Sequence, residues 1–325
     1  MKEDGTDLDR NARVSLVNYP IASIFSQLDV TLGGRLITQS HNAYPSRGFI
    51  EAVLNYSNDT MNTQFSAGLF YKDTAAQHES TAMDGDNKGF VKRAALAAES
   101  RKIDLLGQLH SDLFFQEKLL LNGMDVKIKL TCSKDTFCLM TNDLNRGCKL
   151  NILSASLFVK KVRVAPGVRL GHAEALFTAN AKYPVDCMGI KAFSIPAGSR
   201  HYDINFFTLY LDGEQVPTKP LQLDFEGGNC VREYMQLVHA AGKHMKDRSL
   251  LVNREEFTQG YTLFAFDLSP HQECADHYSL IKTGNLWAEV QFARALPHTV
   301  NMIVYGVFDN VIEINHRRNV LFDYM

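Results

Sequence analysis

LDVTLGGRLI, residues 28–37, and FFTLYLDGEQV, residues 206–216, decide how this chain is read. In the first, Leu28, Val30 and Leu32 alternate with Asp29 and Thr31, and Gly33-Gly34 then leads into Arg35-Leu36-Ile37. A period-two run closed by a glycine pair is the pattern of a β-hairpin, because glycine enters the positive-φ conformations of a tight turn without a Cβ penalty. In the second, Asp212-Gly213 takes the place of the glycine pair and Glu214-Gln215-Val216 begins the return strand.

Working outward, both hairpins head the same succession of elements. The first is followed by a short helix, GLFYKDT (68–74), LLNGMDVKIKL (120–130) and SASLFVKKVRV (154–164). The second is followed by a short helix, GYTLFAFDLS (260–269), IKTGNLWAEVQF (281–292) and TVNMIVYGVFDNVIEI (299–314). Runs at 124–130, 157–164, 261–268, 286–292 and 300–308 are rich in β-branched or alternating apolar residues and are predicted as strands. One order of elements met twice predicts two copies of one β-domain, each closing its own sandwich. The expected fold class is all-β, with two β-sandwich domains over residues 1–165 and 183–325, a linker helix across 166–182, and short helices in the connections. The regular strand–helix alternation of a doubly wound sheet is missing. Strand order is invisible to hydrophobic period, so the residues alone leave sandwich or barrel, and Greek key or jelly roll, open.

Helical signals lie between the strands. Pro45 suits a first helical turn, with Ile50, Val53 and Leu54 on one face, and Val231, Met235, Leu237 and Val238 suggest a second short helix. A third candidate runs over 166–179 with Val168, Leu170, Ala173 and Leu176. Residues 73–89 carry Gln77, His78, Glu79, Asp84, Gly85, Asp86 and Asn87 and are expected to form an exposed loop, either simply mobile or a surface projection.

At 325 residues the chain is long enough for two cores. A net charge of −2, with 45% hydrophobic and 10% aromatic residues, fits a globular protein and points away from a nucleic-acid binder. The polar start MKEDGTDLDR lacks the pattern of a secretory signal, and no apolar run approaches the roughly 20 residues of a membrane-spanning helix. Neither export nor membrane insertion is expected. Cys132, Cys138, Cys148, Cys187, Cys230 and Cys274 are irregularly spaced with no CxxC pair, as expected for reduced thiols packed as small apolar groups.

GxSxG, HExxH, GxxxxGK[ST] and GxGxxG do not occur, so the common signatures of acyl transfer, zinc hydrolysis and nucleotide binding are missing. No catalytic, cofactor or metal residues are assigned. The nearest approach to a metal cluster is His271, Cys274 and His277 with Asp276 beside them; a fourth ligand would have to come from a residue such as His298 or Cys230, and a plain polar loop is the favoured reading. His239 and His244 suit a helix end in solvent. Lys160, Lys161 and Arg163, and likewise Arg317 and Arg318, form basic patches better read as solvated strand ends than as DNA contacts. Trp287 is a candidate either for a subunit contact or for core filling.

The text itself is familiar. IFSQLDVTLGGRLIT (24–38), GLFYKDT, GQLHSDLFFQEKLLLNGMDVKIKL (107–130), KDTFCLM (134–140) and LFVKKVRV (157–164) resemble the major capsid proteins of Polinton/Maverick elements and adintoviruses. KAFSIPAG (191–198), LYLDGEQVPTKPLQ (209–222), GYTLFAFDLSP (260–270), GNLWAEVQFARALPHTVNMIVYG (284–306) and FDNVIEINHRRNVLFDY (308–324) extend the resemblance nearly end to end. It implies a double jelly roll, homotrimers packed as pseudo-hexagonal capsomers of an icosahedral shell, penton or minor capsid partners, and a virion location after assembly in the host nucleus or cytoplasm. It implies no enzyme activity and no cofactor. Against relatives of this type, the first strands of the N-terminal roll are missing and a deletion falls near 198–202, as in a decayed or integrated copy, so incomplete rolls that assemble poorly are expected. The competing class is a jelly-roll carbohydrate-binding module, which would show a clustered aromatic platform.

Overall fold

The computed structural model describes residues 1–2, 4–38, 42–142, 147–195, 204–243, 249–268, 284–296 and 298–322. Among them eleven strands occur: β1 (Val14–Leu16), β2 (Phe25–Leu32), β3 (Arg35–Leu36), β4 (Val126–Cys132), β5 (Leu139–Thr141), β6 (Ala181–Ile195), β7 (Ile204–Leu211), β8 (Glu214–Leu221), β9 (Leu286–Phe292), β10 (Val300–Ile314) and β11 (Val320–Leu321). The fold is mostly β, in several small sheets with short helices between them, and no sheet among the described residues closes into a barrel.

Both hairpins form, and both turn as their residues dictate. Gly33 and Gly34 lie at φ 54° and 82°, and Asp212 and Gly213 at 53° and 88°. Two successive positive φ values define the type I′ turn, whose twist matches that of the flanking strands. Gly33 is needed for space as well, since a Cβ there would stand 3.2 Å from the Arg318 carbonyl oxygen.

The echo in sequence becomes an echo in pairing. β2 is flanked by its hairpin partner β3 and by β4, and β7 by its hairpin partner β8 and by β9. Each central strand carries a register irregularity near its start, between Phe25 and Gln27 against β4 and between Ile204 and Phe206 against β9. Two three-stranded antiparallel sheets thus share one strand order and one position of local bending. A third sheet is dominated by the long ribbon of β6 and β10, paired from Ala181↔Ile314 to Ile195↔Val300, with β11 added only at its inner end. One core cluster includes Leu28, Val30 and Leu32 of β2, Tyr183, Val185 and Cys187 of β6, and Phe207, Leu221 and Phe257.

Several expected strands are not paired. Residues 157–164 form no ladder and are solvent-exposed throughout, with Phe158 82% exposed. Their composition suits a strand, but a strand needs an edge to hydrogen-bond, and within the described residues none is offered to them. GLFYKDT enters as the end of a 3-10 helix, Gln64–Gly68, and Leu69 turns left-handed at φ 56°. Lys72 then anchors the segment by its side chain, at 2.6 Å from both the Leu251 carbonyl and Glu256. Residues 261–268 run without a ladder, and Phe264 and Phe266 pack against Phe207.

Helices occur where expected, with different faces. In the Tyr44–Asn55 helix, Pro45 lies in the first turn, and of the expected face only Val53 is buried, alongside Tyr44, Pro45, Arg47, Gly48, Glu51 and Ala52 in place of Ile50 and Leu54. Two charged residues occupy the core side because they compensate each other there. The Val231–Ala240 helix buries Glu233 and Leu237 and leaves Val231 and Met235 outside. The Pro166–Thr178 helix buries Leu176 alone.

Residues 73–87 form a loop, but a mostly half-buried and fastened one rather than the exposed loop expected, and 88–89 already open the next helix. Thr74 donates its hydroxyl to the Asp86 carbonyl at 2.8 Å and its N–H to the Asn87 side chain, which in turn caps the Lys88–Ala97 helix by accepting from the Phe90 N–H at 3.2 Å. Arg93, wholly buried, holds Asp73 at 2.7 Å and the Leu16 carbonyl at 2.9 Å. A fastened loop presents a poor extended substrate to a protease, whereas 151–164 presents a good one. Limited trypsin digestion is expected to cut first at Lys160, Lys161 or Arg163, with Lys88 cut later; mass mapping of the first fragments checks this, and initial cleavage at Lys88 would contradict it.

Candidate functional site

The densest polar cluster was not assigned from sequence. Arg47 and Glu51 stand one turn apart on the buried face of the Tyr44–Asn55 helix, with Arg47 Nε 2.7 Å from Glu51 Oε1. The Arg47 guanidinium also reaches Asp112 Oδ1 at 2.5 Å, at the start of the short Asp112–Phe115 helix. Glu51 turns its other oxygen to His110 Nδ1 at 2.5 Å, and His110 Nε2 lies 2.9 Å from the Tyr19 hydroxyl. The Tyr44 hydroxyl accepts from the His110 backbone N–H at 3.2 Å. All six residues are buried. Gly48 makes the approach possible, since a Cβ there would meet Ala22 at 2.8 Å and the His110 ring at 3.1 Å.

Burial sets the electrostatics. It raises Asp112 above the ordinary aspartate range despite Arg47 beside it. The same burial opposes the charge on Arg47, but Glu51 and Asp112 outweigh it and hold the guanidinium above its usual pKa. Burial pushes Tyr44 up to about 12 and Tyr19 higher still. Glu51, His110 and Tyr19 are arranged in the order of a proton relay, but the hydroxyl at its end is buried and held protonated. The adjoining cavity, of about 40 Å³, is lined by Leu28, Thr38, Tyr44, Arg47, Met188 and Ile190 among others, room for a few waters and far short of the usual metabolite pocket. What the cluster does is join elements: the backbone of Met188 on β6 comes near enough to Asp112 to pull its carboxyl downward against the effect of burial.

The residues singled out from sequence are dispersed. His271, Cys274, Asp276 and His277 lie outside the described residues, as do His244 and the 198–202 junction. Of the guessed further ligands, Cys230 is buried in the core and His298 is exposed, so they do not share an environment. His239 sits exposed in the last turn of its helix. Lys160, Lys161 and Arg163 are in solvent, and Arg317 is exposed beside a half-buried Arg318. Burial raises the thiols of Cys138, to about 11, and of Cys187 and Cys230. Trp287 is half exposed and so does not fill the core. The signals that could have flagged the buried cluster were the i, i+4 spacing of Arg47 and Glu51 and the charged pair in LHSDL, residues 109–113.

No family model matches the chain. A curated relative, the uncharacterized protein F54H12.2 of Caenorhabditis elegans, is 22% identical over 356 residues, covering 95% of this chain and 83% of its own length. Because that aligned span exceeds the 325 residues of this chain, the relative carries residues that this chain lacks. Among solved structures, the chain is similar to one described as the crystal structure of PBCV-1 VP54 fitted into a cryo-EM reconstruction of the virophage Sputnik, with a TM-score of 0.46, 9% identity, and coverage of 100% of this chain and 92% of that one.

Removing one partner from a buried ionic group leaves the others uncompensated, at a cost of about 3–5 kcal/mol. Arg47→Ala is therefore expected to lower the unfolding free energy by that amount in urea titrations. Asp9→Ala, which removes an exposed ion pair to Lys2 at 3.7 Å, should cost less than about 1 kcal/mol.

Proposed function

We propose that this chain is a structural virion protein, a major capsid subunit of the double jelly-roll type that works by packing against copies of itself. The resemblance of its text to Polinton/Maverick and adintovirus capsid proteins, distributed over both halves, supports the reading. The observation that carries it in the structure is the outer half of the β6–β10 ribbon. There Phe193, Ile303, Val304, Val307 and Phe308 are all exposed, on two strands that no third strand flanks beyond Ile312 among the described residues. By register Phe193, Val304 and Phe308 share one face and Ile303 and Val307 the other; a lone two-stranded ribbon is marginal in water, and apolar side chains exposed on both of its faces favour packing against other protein surfaces. Exposed Leu153, Leu157, Phe158 and Val159 add a second apolar stretch.

In this reading each half is one jelly roll, with the division falling in residues 166–182, and trimers form the capsomer. Minor capsid or penton proteins would fill the vertices, the virion is the final location, and assembly takes place in the host nucleus or cytoplasm. The chain performs no catalysis. The residues that the nematode relative has in addition are in keeping with a shortened connection, such as the one proposed near 198–202. Open strand edges favour association but work against regular shells.

Size-exclusion chromatography with light scattering, followed by negative-stain imaging, tests the proposal. Self-association into irregular, polydisperse species is expected, in keeping with incomplete rolls, shifting toward monomer in a Val304→Glu, Phe308→Glu double variant. A monodisperse monomer at all concentrations would refute it.

A further inference from the structure

The sheet formed by β8, β7 and β9 has an outer face whose chemistry self-association does not explain. Tyr210 stands opposite Gln215 on β8 and Trp287 on β9, and Thr208 opposite Glu289. Phe207, Leu209 and Val290 of the same strands pack on the core, so Thr208, Tyr210, Trp287, Glu289 and Gln291 share the opposite face, with Thr208 wholly buried there and accepting from Gln215 Nε2 at 3.2 Å. The rings of Tyr210 and Trp287 stack with centroids 3.9 Å apart and planes within 7°. Among the described residues β9 is an edge of its sheet. One face of the indole therefore rests on Tyr210 and the other looks outward past the edge, with Trp287 50% exposed.

Polar groups bound this flat apolar surface along the strand. On one side Glu289 is held in place, accepting from the Tyr210 hydroxyl at 3.3 Å and from Gln291 Nε2 at 2.9 Å. On the other, at the hairpin turn, Asp212 accepts from the Asn285 N–H at 2.7 Å. The turn is fitted to that carboxylate, because a Cβ on Gly284 would stand 2.4 Å from Asp212 Oδ2. Aspartate and glutamate are depleted from the centres of protein–protein interfaces, so this setting differs from the apolar ribbon. An aromatic plane flanked by carboxylates and an amide matches a pyranose ring, whose C–H face stacks on the indole while its hydroxyls donate to the carboxylates. Tyr210 fixes the indole beforehand, which reduces the ordering cost of binding.

We propose that the outward face of Trp287, with Glu289, Gln291 and Asp212, binds a pyranose unit of a neutral glycan. This does not depend on the capsid reading, since a soluble subunit would show it as well as an assembled one.

Trp287 is the sole tryptophan, so its emission reports on the site directly. The full chain is titrated with neutral β-linked oligosaccharides of glucose, of galactose and of N-acetylglucosamine. A saturable change in emission with at least one of them is expected. By calorimetry with that sugar, Trp287→Ala and Glu289→Gln should each weaken binding about tenfold or more, with urea midpoints near the wild-type value showing that both fold. No saturable change with any of the three sugars would overturn the proposal, as would calorimetric binding that persists unchanged in Trp287→Ala. An emission shift that follows protein concentration in sugar-free buffer, without a sugar response, would make Trp287 a subunit contact instead.

Discussion

A single guanidinium organises the first half of this chain and ties it to the second. Arg47 is buried with two carboxylates, Glu51 and Asp112, and bonds to both. Through Glu51 it orients His110, and through Asp112 it holds a carboxylate beside the Met188 backbone of β6. An isolated buried charge is costly and an ion pair of this kind adds little net stability, but it admits only one arrangement of the helices and the ribbon. Arg93 does similar work nearby, satisfying the carbonyls of Leu16 and Tyr71 while holding Asp73.

The ribbon packs on the core as far out as Cys187 and Ile190, which are buried, yet along the same stretch it carries apolar side chains into water. The contrast along one pair of strands is sharp: Ile312 and Ile314 are buried, whereas Val307 and Phe308 are exposed. The ribbon differs from the Trp287 face, where carboxylates and amides surround a single fixed ring.

Much of the fold was legible because it rests on local chemistry. Gly33-Gly34 and Asp212-Gly213 can hardly do anything but turn, and the alternation of Val126 to Leu130 and of Leu286 to Phe292 led directly to β4 and β9. The strands misread were those whose pairing is a tertiary matter: residues 157–164 are as rich in β-forming side chains as a strand, yet composition carries no information about whether an edge is available. The buried cluster was hidden for a different reason. A helix face drawn from apolar residues passes over Arg47 and Glu51, and their partners His110 and Asp112 lie about sixty residues away. Only the folded chain shows that these charges neutralise one another.

The link from Asp112 to Met188 is the narrowest point in this account, and amide hydrogen exchange reads it residue by residue. Comparing the wild-type chain with Asp112→Ala, the account predicts that the Met188 amide and its β6 neighbours lose protection while the hairpin at Asp212-Gly213 exchanges as before. Unchanged protection at Met188 would contradict the claim that the buried charge cluster holds the ribbon in place.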